Sequence, residues 1–333
     1  MLKIKKPGLL SNIQDMGRTG FQKFGVIASG AMDPFAHRMA NLLTGNAENE
    51  PTLEITMLGP TIIFEEDALI SICGGDLSPA INGVPVRSWR SIFVKKGSEL
   101  KFGYTRSGCR AYLGVAGGFP VPEVMKSKAT YLRAGIGGYE GRALKAGDLL
   151  VLGTPSDQSD KMTEYLARQL QSQSFLESDW SITAELIPNT ESNPFIRFTK
   201  GRQFELFSKE SRQKLIGDAF EVTAQSDRMG YRLKGPALSL SEPTELISEA
   251  VNFGSIQVPP DGNPIVLLAD RQTTGGYPKI GQVAFVDLPL LAQAKPGDKL
   301  RFVEISHEKA QRLYLEREWK LKELKQGIYL KTR

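Results

Sequence analysis

Short apolar runs rich in β-branched residues recur along this chain, each bounded by Gly, Pro or Asp. "TIIFEEDALISICGG" from Thr61, "PIVLLAD" from Pro264 and "GQVAFVDL" from Gly281 are three of them. Their length and composition predict strands. A second signal repeats. The string K-x-G-[SD]-x-L occurs as "KKGSELKF" from Lys95, "KAGDLLVL" from Lys145 and "KPGDKLRF" from Lys295. Each predicts a Gly turn feeding an alternating strand, because Gly frees the turn and the period of two sets one face inward. Helical periods are few. One helix should start after Asp33, a cap, with Pro34 in its first turn, and end by Gly45. Phe35, Met39, Leu42 and Leu43 then share a face, and the 100° spacing turns His37 toward solvent. Met162, Tyr165, Leu166 and Leu170 predict a connecting helix, and Leu313, Leu321 and Leu324 predict an amphipathic terminal one.

The string R-x-G-[FY]-x-x-x-G also occurs twice, as "RTGFQKFG" from Arg18 and "RMGYRLKG" from Arg228. It precedes the Lys-Gly strands in each half of the chain. That order predicts two related domains at residues 1–155 and 196–306. A linker with a helix joins them at 156–195, and a C-terminal helix and tail follow at 307–333. Many short strands and few helices argue for a mainly β fold of closed or sandwiched sheets.

Composition narrows the function. With 41% hydrophobic and 24% charged residues, the 333-residue chain reads as globular. No apolar run is long enough for a membrane helix, and the start of the chain has no apolar leader, so the expectation is a cytoplasmic protein. The formal charge of +5 comes with no nucleic-acid-binding module, so neither nucleic acid nor membrane is expected as a partner. Two cysteines without a CxxC spacing, and two histidines, leave no zinc site and poor material for a catalytic triad. Chemistry would fall to carboxylates, Arg, Lys, Gln and backbone amides.

Such residues cluster in "ADRQTTGGYPKIG" from Ala269. Asp270 and Arg271 leave a strand, Gln272 follows, and Gly275 and Gly276 let a ligand approach the backbone. Tyr277 and Lys279 add a phenol and a cation. The turn in "IQVPPDGNP" from Ile256 should wall the same place. Gln225, Asp227 and Arg228 form a second group, and Gln14, Asp15 and Arg18 a third. A carboxylate beside a guanidinium can grip an amide and an oxyanion, or simply pair locally. The Gly-rich "GIGGYEGR" from Gly135 lacks the Lys-Ser/Thr of a phosphate loop and reads as a bend.

Three long strings carry a resemblance: "QDMGRTGFQKFGVIASGAMDPFAHRMANLLTGN", "SDRMGYRLKGP" and "IQVPPDGNPIVLLADRQTTGGYPKIGQV". They resemble the KipI antagonist KipA family, also called allophanate hydrolase subunit 2 or the C subunit of 5-oxoprolinase (PxpC). The chain is similar as well to part of the carboxyltransferase domain of urea carboxylase. The resemblance implies two tandem cyclophilin-like β-barrels. It implies a role in ATP-dependent opening of the lactam of 5-oxoproline to L-glutamate. Partners would be a KipI-like B protein and a LamB/YcsF-like A protein, with ATP bound somewhere in the complex. On this reading Asp227, Arg228, Asp270, Arg271, Gln272, Tyr277 and Lys279 are catalytic candidates. Gln14, Asp15, Arg18, Gln225, Gly275 and Gly276 are candidates for binding a small amide substrate. Two other roles stay open: a regulatory protein that antagonises a KipI-like kinase inhibitor, and a component of a biotin-dependent carboxyltransferase or allophanate hydrolase.

Overall fold

The computed structural model describes residues 1–190 and 193–332. Residues 191 and 192 of the linker and residue 333 of the tail lie outside the described residues. The chain is mainly β and groups into two compact units. One comprises Met1–Gly17, Asp33–Pro188 and Lys320–Arg333, the other Arg18–Met32 and Asn189–Trp319.

In the second unit, seven strands close into a barrel. In order they are Phe195–Lys200, Lys279–Val283, Ser255–Gln257, Ile265–Leu267, Gly230–Lys234, Ala219–Val222 and Lys299–Glu304. The last strand returns beside the first in parallel, pairing Ile196 with Phe302, whereas the other neighbours run antiparallel. Closure leaves no edge of unpaired backbone groups. Alternation fills the inside. Ile196, Phe198, Phe220, Ile256, Val266, Leu300 and Phe302 are fully buried. Phe302 meets Phe198 and Phe220 edge-on, with ring centroids 6.1 and 5.9 Å apart. Gly281 makes room for this stack, since a Cβ there would stand 2.7 Å from the Phe198 ring. The third Lys-Gly string behaves as expected: Gly297 turns at φ +93° and Lys299–Glu304 follows. The run from Gly281 is a strand only to Val283. It then forms a short 3-10 turn, Phe285–Asp287, and the helix Leu288–Gln293.

In the first unit, two six-stranded sheets enclose a core. Leu2, Ile4, Ile62, Phe64 and Leu100 point into it from one sheet, and Ile13, Leu53, Ile55, Ile72 and Leu113 from the other. Helix Pro34–Leu42 begins as expected, with the Asp33 carboxylate accepting the Ala36 amide at 2.9 Å. Almost every side of this helix is buried, so it has no solvent face, and His37 is fully buried. The expectation that His37 meets solvent is corrected by that packing. The connecting helix runs Asp157–Ala167 with Met162 and Leu166 inward. The terminal helix runs His307–Lys331, with Leu321 and Ile328 as its buried positions.

The two Arg-Gly-aromatic strings take different local structures. Gly20 sits in a loop at φ +90° with open space around its Cα. Gly230 begins a strand, where a Cβ would press on Ile265 at 3.0 Å. One glycine supplies a backbone angle and the other a close approach, so the shared spacing has two physical causes.

Phe302→Ala should cost about 3–5 kcal/mol of stability, read from the midpoint of a urea titration, because it empties the centre of the barrel stack.

Candidate functional site

The strand Ile265–Leu267 continues into Asp270, and its neighbour Gly230–Lys234 is preceded by Arg228. The ladder between them therefore ends in a side-chain pair. Arg228 Nε donates to Asp270 Oδ2 at 2.9 Å, and Nη2 donates to Oδ1 at 3.1 Å. Nη2 also donates to the Gly30 carbonyl at 2.6 Å. The Asp270 amide returns a bond to the Arg228 carbonyl at 2.8 Å. Both side chains are buried. Asp227 Oδ1 accepts the amides of Met229 and Gly230, at 2.8 and 3.4 Å, and so shapes the approach to the strand. Geometry gives this group the work of a strut.

Arg271 differs from its neighbour. Its guanidinium lies over the Phe253 ring, 5.8 Å from the centroid. It reaches the carbonyls of Leu268 and Val251 at 3.3 and 3.5 Å. Burial lowers its pKa from the ordinary arginine value. No carboxylate pairs with it among the described residues. Lys279 Nζ donates to Glu249 at 3.0 Å. Glu249 also accepts from Arg202 at 3.0 Å and from Gln203 at 2.7 Å. The hydrogen bond from Lys279 is the chief cause that lowers the Glu249 pKa.

The two-residue strands Glu249–Ala250 and Thr274–Gly275 pair antiparallel and bring the Gly-Gly stretch beside this network. At Gly275 a Cβ would fall 2.4 Å from Gln257 Nε2, so any larger residue there would make the Gln257 side chain shift. Beyond it opens a cleft of about 610 Å³. Gly276 and Tyr277 line one side, and Val258, Pro259 and Pro260, from the expected walling turn, line another. Gln272 and Gln225 are exposed. Thus Gly276 and Tyr277 border the cleft, Gly275 and Lys279 lean on Glu249, and Asp270 with Arg228 braces the strands. Nothing in the sequence singled out Glu249, Gln203 or Gln257; each lies far along the chain from the residue it supports.

The third group divides. Arg18 is fully buried in the second unit, where its amide donates to the Ala28 carbonyl at 2.7 Å. Asp15, in the first unit, is a clamp. Oδ1 accepts from the Gly17 amide at 2.7 Å and the Ser127 hydroxyl at 2.8 Å, and Oδ2 accepts from the Lys128 amide at 2.6 Å. Gln14 ends the strand Leu10–Gln14, on a face that is buried yet polar. Register sets Asn12 beside Glu54, Glu54 beside Tyr112, and Gln14 beside Thr52. Tyr112 donates to Glu54 at 2.7 Å. Burial, and next the Glu54 charge, raise the Tyr112 pKa and keep it a donor. Thr52 Oγ1 meets His37 Nδ1 at 2.8 Å. Burial lowers the His37 pKa to about 4, so the imidazole is neutral at pH 7. Asn12, Glu54, Tyr112 and His37 are thus functional candidates that strand patterning did not mark. The one available signal is that in "LSNIQ" the polar Asn12 and Gln14 flank the apolar Ile13, and burial covers all three.

No group of three metal-ligating side chains gathers among the described residues. What the two regions offer is buried hydrogen bonding by polar and paired charged groups, the half-buried Arg271 guanidinium and an apolar-walled cleft. Two outcomes follow. Asp270→Ala should cost about 3–5 kcal/mol in chemical denaturation because it strands the Arg228 charge, whereas Arg271→Ala should change stability by about 1 kcal/mol or less. For His37, the unfolded chain takes up a proton near pH 6.5 and the folded chain only near 4, so unfolding free energy should fall by up to about 3 kcal/mol as pH drops through that window. His37→Gln should flatten that part of the pH–stability curve.

Comparison with known proteins agrees with this architecture. "Carboxyltransferase domain, subdomain A and B" matches residues 24–304. The 5-oxoprolinase C subunit of Haemophilus influenzae is 38% identical over 91% of this chain and 91% of its own. The Escherichia coli protein of the same name is 37% identical over 96% and 99%. Urea amidolyase of Saccharomyces cerevisiae is 32% identical over 94% of this chain, which spans 17% of that protein. Among solved structures, the K. lactis urea amidolyase superposes with a TM-score of 0.84 at 31% identity, over 95% of this chain and 19% of that one. The resemblance borne by the three long strings therefore holds: the chain belongs to the carboxyltransferase-domain family of subdomains A and B, among the relatives of the 5-oxoprolinase C subunit.

Proposed function

We propose that this chain is the C subunit of an ATP-dependent 5-oxoprolinase and helps open the lactam of 5-oxoproline to L-glutamate. The observation that carries the reading is the end-to-end match, at 37% identity and 99% of its length, to a protein named for that role. A C subunit implies further subunits. The reading assigns these to a KipI-like B protein and a LamB/YcsF-like A protein. An amide carbonyl is a poor electrophile, so phosphorylation of its oxygen makes ring opening feasible, and catalysis then rests on positioning and charge neutralisation. Arg271, half buried and unpaired by any carboxylate among the described residues, is the group proposed to neutralise charge. Tyr277 and Gly276 border a cleft of the same unit.

The Gly-rich stretch 135–142 does not fit a nucleotide phosphate. Glu140 stands in it, and Arg142 is tied to Glu140 at 2.6 Å and to Asp148 at 2.7 Å. No step on this chain is routed through ATP, which the reading leaves to the assembled complex.

The test is reconstitution. The purified chain alone should hydrolyse no ATP in response to 5-oxoproline. With the B and A proteins it should release L-glutamate, and omitting it should abolish turnover. Arg271→Ala should then lower kcat roughly a hundredfold with little change in melting temperature. An assembled complex that leaves 5-oxoproline intact would overturn the reading. The family match favours a second one, carboxyl transfer to urea with a biotin carrier supplied by another protein. Biotin-dependent carboxylation of urea by the assembled proteins would select it.

A further inference from the structure

Asn12 and Gln14 stand two residues apart on one strand, so their side chains share a face. Asn12 is 1% exposed and Gln14 is fully buried. Gln14 Nε2 donates one proton to Asn12 Oδ1 at 2.8 Å and the other to the Thr130 carbonyl at 3.0 Å. Those bonds set the orientation of both amides, because a flipped Gln14 would turn its oxygen toward two acceptors. Two buried atoms are left without a partner: Asn12 Nδ2, a donor, and Gln14 Oε1, an acceptor. Leaving such atoms unpaired is costly, so a group that pairs both gains affinity.

A donor and an acceptor on adjacent same-face positions match one chemical edge. A cis amide presents its C=O and N–H on the same side. A carboxylate would set a second acceptor against Gln14 Oε1. An ammonium would set a donor against Asn12 Nδ2. Lactams and cyclic ureas both carry the edge required.

We propose that Asn12 Nδ2 and Gln14 Oε1 bind the carbonyl oxygen and the N–H of a small cis-amide ring, lactam or ureido. The lactam arm rests on the 5-oxoproline reading above, and it names the residues of the first unit that recognise the ring. Asp15 is a positioning residue in this scheme. It holds the Ser127–Lys128 segment, from which the chain runs to the Thr130 carbonyl that orients Gln14.

The test uses the full chain and four ligands: 2-pyrrolidinone, N-methyl-2-pyrrolidinone, 2-imidazolidinone and 5-oxoproline, titrated by calorimetry and ligand-detected NMR. 2-Pyrrolidinone should bind, and N-methylation, which removes the proton that Gln14 accepts, should weaken binding roughly tenfold or more. Asn12→Asp, which replaces the donor by an acceptor, should abolish it with the melting temperature checked alongside. Where that variant fails to fold, the N-methyl comparison on the unaltered chain decides alone. Tighter binding of 2-imidazolidinone than of 2-pyrrolidinone assigns the ureido arm, and the reverse order the lactam arm. No binding, equal binding of the N-methyl compound, or soaked crystals with only a water between the two atoms overturns the proposal. If the reconstituted complex opens 5-oxoproline and Asn12→Asp leaves its KM unchanged, the proposed function stands and this site falls. If the lactam binds through its N–H and no turnover follows, the site stands and the proposed function falls.

Discussion

The bidentate pair of Arg228 and Asp270 sets the geometry of one end of the barrel. It continues the ladder between Gly230–Lys234 and Ile265–Leu267 past the last backbone bonds, and it adds the Gly30 carbonyl as a third anchor. Two charges taken out of water are tolerable only with this degree of hydrogen-bond satisfaction. Once Asp270 is held, the next residue has little freedom. Arg271 must fold back over Phe253 and the Leu268 carbonyl, and the chain then reaches the Gly-Gly stretch at the cleft. This buried pair therefore decides where the half-buried guanidinium sits.

The first unit uses another device. Its second sheet has an apolar face toward the core and a polar face that is buried too. Helix Pro34–Leu42 brings a neutral imidazole to that face, and the strands bring Asn12, Gln14, Thr52, Glu54 and Tyr112. Low effective dielectric strengthens each hydrogen bond there and raises the cost of each one not made. The unpaired donor of Asn12 and acceptor of Gln14 on this face suit the edge of an amide better than a carboxylate set at the same two atoms.

Much of the framework was legible in the sequence. The Lys-Gly strings mark three turns with positive φ at Gly97, Gly147 and Gly297, each followed by a strand. Asp33 and Pro34 mark their helix start. The walling turn at Val258–Pro260 does border the cleft with Tyr277. Less legible was which polar residues meet water. Helical periodicity turned His37 outward because it compares residues with one another and cannot see a helix enclosed on several sides. Asn12 and Glu54 lie in strands whose alternation normally separates core from solvent, and here both faces are covered. Glu249 is supported by Lys279, Arg202 and Gln203, partners that only the closed fold brings near.

The closure of the barrel also bears on how the chain comes to be folded. Phe195–Lys200 finds one of its two neighbours in Lys299–Glu304, about a hundred residues later. Ala219–Val222 waits for the same strand. During synthesis, both strands carry open edges until residue 304 has emerged, and contacts this distant in sequence form slowly. Through that interval the Phe198 and Phe220 rings lack Phe302, the side chain that packs between them. Nascent chains stalled before Lys299 should therefore be the aggregation-prone species of this protein, with most of the first unit already synthesised.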